Sequence, residues 1–72
     1  MPRKVPIGTR VRQLRERRGL TQAELAERAG IHRVSLAKIE AARQHKTPPT
    51  LKLATLEQLA RALRVSVVKL LG

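Results

Sequence analysis

The sequence predicts an all-α fold, a compact domain of five short helices, and three observations indicate it. Apolar residues recur at the helical spacing of three or four, as Ile7, Val11 and Leu14 do. Residues that stop and start helices stand between these stretches. No stretch shows the polar and apolar alternation that a half-buried strand requires. A chain of 72 residues is long enough for one such domain.

Helix 1 is predicted over 7–18 and helix 2 over 21–28, because the residues between them stop one helix and start the next. Gly19 suits the left-handed conformation in which many helices end. Thr21 is a good N-cap, and Glu24, three residues later, completes a capping box. A further glycine follows helix 2 and is predicted to end it.

The second half of the chain holds three more predicted helices. Helix 3 begins after a very short turn, with His32 at the N-cap position, where serine or threonine is more usual. Residues 42–52 are basic and contain two consecutive prolines, so they are predicted to form a loop. Helix 4 is predicted over 53–63, and helix 5 over 67–71 with Ser66 as its cap.

Charge predicts the kind of partner. The chain carries 16 Lys and Arg against 5 acidic residues, a net charge of +11, and this predicts attraction to polyanions. Nucleic acid and anionic membrane are the two candidates. No apolar run is long enough for a membrane span or a signal peptide, so we expect a cytoplasmic protein. Residues 1–6 are predicted to be a flexible basic arm that precedes a domain over 7–72.

Composition excludes several kinds of site. Cysteine and aspartate are absent and there are two histidines, so we expect no disulfide, no metal and no cofactor. The scattered glutamates offer no catalytic pair and no glycine-rich phosphate loop is present, so an enzyme is not expected. Single-stranded nucleic acid is commonly bound by aromatic stacking, and the chain has no aromatic residue. Double-stranded DNA is therefore the preferred polyanion.

Three segments carry a resemblance to a known family. They are RQLRERRGLTQAELAERAGI (12–31), LAKIE (36–40) and TLEQLARALRVS (55–66). With these motifs the chain resembles the lambda-repressor-like (Cro/C1-type, XRE) helix-turn-helix family. The resemblance implies that helices 2 and 3 form the helix-turn-helix. It also implies a transcriptional regulator, a homodimeric repressor that reads an inverted-repeat operator with helix 3 in the major groove.

The outward face of helix 3 matches the base-reading positions of that family. The residues concerned are Arg33, Val34, Ala37 and Lys38. Arg33 can donate two hydrogen bonds to guanine, and Val34 can pack on a thymine methyl group. The alternative is an ordinary solvated helix face, which would more often carry glutamate among its basic residues.

Further positions match phosphate-binding and structural residues. Gln22 matches a residue that binds a phosphate and braces the start of helix 3, although it could also be an ordinary first-turn residue. Arg15 and Glu40 match a structural ion pair, and the alternative for Glu40 is to cap helix 4. The full set expected at phosphates is Arg10, Thr21, Gln22, His32, Ser35, Arg43, Gln44 and Lys46. The last three could also be merely solubilising residues.

The sequence departs from the family pattern at two helix ends. Ala42 and Arg64 stand where glycine is usual, and a left-handed residue is costlier without glycine. We therefore expect both helices to end in other geometries. Val68 and Leu71 are apolar on a short surface helix, so they either complete the core or form a dimer contact.

Two other functions remain open at this point. The chain could be an antitoxin that binds a partner toxin and represses its own operon, but its short arm and its end at Gly72 disfavour this. It could also coat DNA non-specifically through charge alone. A regulator could in addition contact RNA polymerase as a protein partner.

Overall fold

The computed structural model describes residues 5–42 and 51–71, and it confirms the five-helix, all-α prediction. No strand occurs in these two ranges. The ends of helices 1, 2, 4 and 5 differ by at most one residue from the predicted ones. The helices are α1 (Ile7–Arg17), α2 (Gln22–Ala29), α3 (Arg33–Ala41), α4 (Leu53–Leu63) and α5 (Val67–Leu71). Most of the predicted arm and of the predicted loop lies outside the described residues.

The predicted caps of α2 and α5 are present. The Thr21 Oγ1 atom accepts a hydrogen bond from the Glu24 backbone N–H at 3.1 Å, and the Thr21 N–H donates to Glu24 Oε1 at 2.9 Å. The bond from the Thr21 backbone N–H to the Glu24 carboxylate, with a smaller contribution from the Thr21 side chain, holds the pKa of Glu24 below its ordinary value. Ser66 Oγ accepts from the Lys69 N–H at 3.2 Å. Each helix thus begins just after a residue whose side-chain oxygen accepts a hydrogen bond from a backbone N–H group of the first turn.

The two helix ends without glycine behave differently. Ala42 ends α3 in an extended conformation with φ −70° and ψ 100°, as expected. The expectation was wrong for Arg64, which is left-handed with φ 57° and ψ 43°. The Arg64 N–H donates to the carbonyl of Arg61, and the Val65 N–H donates to the carbonyl of Ala60 at 2.9 Å. These bonds close the end of α4 and place Val65 against the core, which offsets the strain at an exposed arginine.

The core is entirely aliphatic and draws on all five helices. Helix α1 packs against α3, α4 and α5, and α2 packs against α3 and α4. The most deeply buried large side chains are Val11, Leu25, Leu36, Ile39, Leu59, Leu63 and Leu70. None of the helices in the described ranges combines the length and apolar character needed to cross a membrane.

Helices α1 and α3 are in close contact at Gly8. A Cβ atom at this position would overlap the carbonyl oxygen of Ile39 and lie 3.1 Å from that of Ala42. Glycine therefore allows the first turn of α1 to lie directly on the last turn of α3.

Candidate nucleic-acid interface

An ion pair between Arg15 and Glu40 links α3 to α1. Arg15 Nε donates to Glu40 Oε2 at 2.8 Å, and Arg15 Nη2 donates to Glu40 Oε1 at 3.0 Å. Arg15 Nη1 also donates to the Leu20 carbonyl at 2.8 Å. The hydrogen bond with Glu40 raises the pKa of Arg15, against the opposing effect of burial. One guanidinium thus joins α1, the turn before α2, and the end of α3.

Gln22 joins this cluster. The sequence predicted that Gln22 braces the start of helix 3, but its Nε2 atom donates to Glu40 Oε1 at 3.2 Å. Gln22 therefore braces the end of α3, and the predicted contact with the start was wrong. The chain turns back between the two helices, so the beginning of α2 lies beside the last turn of α3.

An open recess of about 660 Å³ lies where α1, α2 and α3 meet, and we call it the α1–α3 recess. Its lining is mostly polar and consists of Thr9, Arg12, Arg15, Glu16, Gln22, Ala37, Glu40 and Ala41. Arg12 was not among the predicted site residues. Arg12 follows Thr9 by three residues and precedes Glu16 by four, so helical spacing places all three on one face of α1. This spacing is the signal in the sequence that could have indicated Arg12 as a site residue. Arg12 Nε lies 3.5 Å from Glu16 Oε2 in a solvent-exposed pair.

The predicted base-reading residues share the outward face of α3. Arg33, Val34 and Lys38 are exposed, and Ala37 is half-buried between them. Together with the exposed Ala41 they line a second open recess, and we call these five residues the α3 stripe. The opposite face of the same helix carries Leu36 and Ile39, which are fully buried.

The residues expected at phosphates around the turn have different surroundings. Thr21 is exposed, and its hydroxyl already serves the α2 cap. His32 is exposed at the N-cap position of α3, but its ring makes no capping hydrogen bond. Ser35 is half-buried and lines neither recess.

Arg10 lies apart from this group. It is half-buried, lines neither recess, and its Nε atom is buried with no hydrogen-bond partner among residues 5–42 and 51–71. The last three expected phosphate contacts, Arg43, Gln44 and Lys46, lie outside the described residues. In the described part of the chain, no group of three or more histidine or acidic side chains could hold a metal ion.

Comparison with known proteins identifies the family of this site. Residues 6–71 match the family described as the helix-turn-helix domain. The chain belongs to the helix-turn-helix domain family. This match confirms the predicted resemblance to lambda-repressor-like helix-turn-helix proteins. The helix-turn-helix of this chain is α2, the turn over residues 30–32, and α3.

Relatives of the chain include a phage repressor and a bacterial transcriptional regulator. The chain is 39% identical over 66 residues to the immunity repressor protein of Bacillus phage phi105, covering 92% of this chain and 42% of that protein. It is 40% identical over 66 residues to the transcriptional regulator SinR of Bacillus licheniformis, covering 92% of this chain and 56% of SinR. The chain therefore spans about half the length of these relatives.

A solved structure with the same helix-turn-helix fold contains DNA. It is the crystal structure of SinR, the master regulator for biofilm formation, in complex with DNA. It superimposes with a TM-score of 0.80 at 36% sequence identity, covering 92% of this chain and 98% of that chain.

Proposed function

We propose that the chain is a transcriptional repressor that binds double-stranded DNA in a sequence-specific way, with α3 in the major groove. The observation that carries this proposal is the α3 stripe, an outward helix face that contributes little to the core. The helix that carries this face is joined to α1 by the hydrogen bonds from Arg15 to Glu40. A helix with an exposed face of this kind can enter the major groove and read base edges there.

Phosphate contacts on both sides of α3 complete the proposed mode of binding. Gln22 donates one amide hydrogen to Glu40, and its second hydrogen is available to a phosphate at the α1–α3 recess. Arg12 lies in the same recess and adds a cation. The other proposed phosphate contacts are Arg10, Thr21, His32, Ser35, Arg43, Gln44 and Lys46. Such contacts position a protein on DNA without reading its sequence.

A homodimer on an inverted-repeat operator is part of the proposal. Val68 and Leu71 are exposed on α5, whereas Leu70 of the same helix is buried in the core. Two apolar side chains on so short a surface helix support a contact with a second copy of the chain. Two α3 helices would then lie one DNA turn apart. We place this activity in the cytoplasm, on the nucleoid.

Selection from a random duplex DNA library at near-physiological salt tests the function. We expect two enriched half-sites whose centres are about 10 base pairs apart. Enrichment of no sequence, with binding that disappears as salt rises, would show that charge alone attracts DNA. Absence of DNA binding even at low salt would direct the search to a protein partner.

Two arginine variants then test the role of the α3 stripe. We expect Arg33→Ala to reduce the preference for the selected duplex over random duplex by about tenfold or more, since a bidentate contact to guanine is lost. The matched control is Arg61→Ala, which removes an exposed arginine on α4 outside the proposed interface. An equal loss of preference in both variants would contradict base reading by Arg33.

A further inference from the structure

Helix α5 carries an exposed apolar pair next to a cation. Val68 is 76% exposed and Leu71 is 59% exposed. Successive residues of an α-helix are rotated by about 100°, so Leu71 lies about 60° from Val68 around the helix. The exposed Lys69 lies about 100° from Val68 on the other side, and the buried Leu70 lies on the opposite face. The outward face of α5 is therefore apolar with a positive edge.

Arg10 on α1 has no anionic partner in the described part of the chain. It is half-buried, and its Nε atom is buried without a hydrogen-bond partner among residues 5–42 and 51–71. It also belongs to neither of the two ion pairs found there. Because a covered guanidinium without a partner is costly, a carboxylate that reaches Arg10 would be bound with charge-assisted hydrogen bonds.

The position of Arg10 on α1 places it away from α3. Gly8 and Arg15 face α3, and Arg10 lies about 160° around the helix from Gly8. Helices α4 and α5 also pack on α1, and they have to use the sides that α3 leaves free. Since α5 has five residues, which is about 7.5 Å of helix, we place Arg10 beside its outward face. We call this set the α5 surface, and it consists of Arg10, Val68, Lys69 and Leu71.

The α5 surface suits an acidic occupant better than a second copy of the chain. All five glutamates precede residue 58, whereas residues 58–71 carry Arg61, Arg64 and Lys69, all of them exposed. A two-fold contact brings the same patch of two copies together, so cations would face cations. A specific interface also buries about 800 Å² on each partner, more than one apolar pair supplies. The second copy is therefore held weakly at this surface.

We infer that the α5 surface binds an acidic, amphipathic segment of a partner protein in competition with the second copy of the chain. Apolar side chains of the segment cover Val68 and Leu71, and one of its carboxylates pairs with Arg10. In this arrangement Arg10 serves the carboxylate and not a DNA phosphate. The competition rests on the proposed repressor, because a repressor that loses its second copy holds one half-site and binds the operator far more weakly.

A peptide library tests the inference without knowledge of the natural partner. Helical peptides with leucine at every third or fourth position and random residues elsewhere are displayed on phage. They are selected on the protein without DNA at near-physiological salt, and we expect enrichment of Asp and Glu. One selected peptide, labelled for fluorescence anisotropy, is the probe in all further measurements.

Protein variants assign the selected peptide to the α5 surface. We expect Arg10→Gln and Val68→Ser each to raise the Kd of the peptide by about tenfold, since one removes the partner of a carboxylate and the other removes apolar contact. The matched controls are Arg28→Gln on α2 and Val34→Ser on α3, which replace exposed residues of the same types. Both should change Kd by less than about twofold, because salt screens distant charges.

Addition of the peptide to the protein on its selected operator duplex tests the competition. We expect the DNA to be released at peptide concentrations near the Kd of the peptide. A matched peptide with Asn and Gln in place of Asp and Glu should leave the complex intact.

Three results would overturn the inference. The first is a peptide that binds Arg10→Gln as tightly as the parent, and the second is a saturating peptide that leaves the operator complex intact. The third is a stable dimer of the protein alone, seen by sedimentation equilibrium, that excludes the peptide. Loss of DNA affinity in Arg10→Gln with unchanged peptide binding belongs to the first result and would assign Arg10 to a phosphate.

Failure of the proposed function is distinguishable from failure of this inference. Binding of the peptide and its loss in Arg10→Gln and Val68→Ser are measured without DNA. If the duplex library yields no sequence while these peptide results hold, the repressor proposal is overturned and docking at the α5 surface stands.

Discussion

Arg15 and Glu40 join the first and third helices through two parallel hydrogen bonds of 2.8 and 3.0 Å. Their side chains are only 13% and 4% exposed, whereas those of the Arg12–Glu16 pair are 57% and 56% exposed. The two pairs therefore have similar chemistry in different environments. A buried charge that loses its partner is costly, whereas exposed pairs contribute little.

We expect Glu40→Leu to lower the free energy of unfolding by about 3 kcal/mol, because it leaves the Arg15 guanidinium buried without its partner. The double variant Arg15→Met/Glu40→Leu should recover part of this loss, since no buried charge remains. Glu16→Leu is the control, with an expected change of less than about 1 kcal/mol. Urea unfolding followed by circular dichroism measures all three. A double variant less stable than Glu40→Leu would contradict the assigned cause.

Gly8→Ala should destabilise the domain by about 1–3 kcal/mol, even though alanine favours helices over glycine. The added methyl group would overlap the Ile39 carbonyl oxygen and force α1 away from α3. Gln13→Ala, at an exposed position of the same helix, should change stability by less than about 0.5 kcal/mol. Thermal unfolding checks both variants. A Gly8→Ala protein as stable as the parent would mean that the helices separate without cost.

Arg64→Gly should stabilise the domain by about 1 kcal/mol, because glycine adopts the left-handed conformation without strain. Arg61→Gly removes the same charge from an exposed position inside α4, where glycine costs about 1 kcal/mol. The same substitution is thus expected to shift Tm upward at one site and downward at the other. Tm shifts of equal sign would contradict the role of the Arg64 backbone.

Glu24 makes stability depend on pH in the acid range. Its pKa is lower in the folded chain than in the unfolded chain, so the charged capping box stabilises the fold above the ordinary glutamate pKa. This contribution is lost as the pH falls through the lowered folded-state pKa. We expect the stability difference between the parent and Glu24→Gln to be largest near neutral pH and to shrink in acid. Urea midpoints at a series of pH values measure it, and a constant difference would contradict the prediction.

Local signals in the sequence predicted the helices well. Thr21 with Glu24 and Ser66 with its helix are short-range pairs, and a cap depends on residues within one turn. The buried side chains of α2 and α3 also follow directly from helical spacing. These features need no knowledge of how the helices pack.

Features set by packing between helices were harder to predict. The overlap that requires Gly8 involves the Ile39 carbonyl, which lies far along the chain. The contact of Gln22 with Glu40 depends on the direction in which α3 runs past α2. Arg64 takes a left-handed conformation because the next residue packs on the core, and this is a tertiary effect. The base-reading and phosphate roles stay predictions until DNA binding is measured.

The α3 stripe and the core occupy opposite faces of one nine-residue helix. Exposed positions on the stripe can therefore be exchanged with little change in folding stability, whereas Leu36 and Ile39 cannot. A library randomised at Arg33, Val34 and Lys38 should yield many folded proteins with different half-site preferences. The domain is in this sense a scaffold with a replaceable reading surface, on which new specificities can evolve or be engineered one side chain at a time.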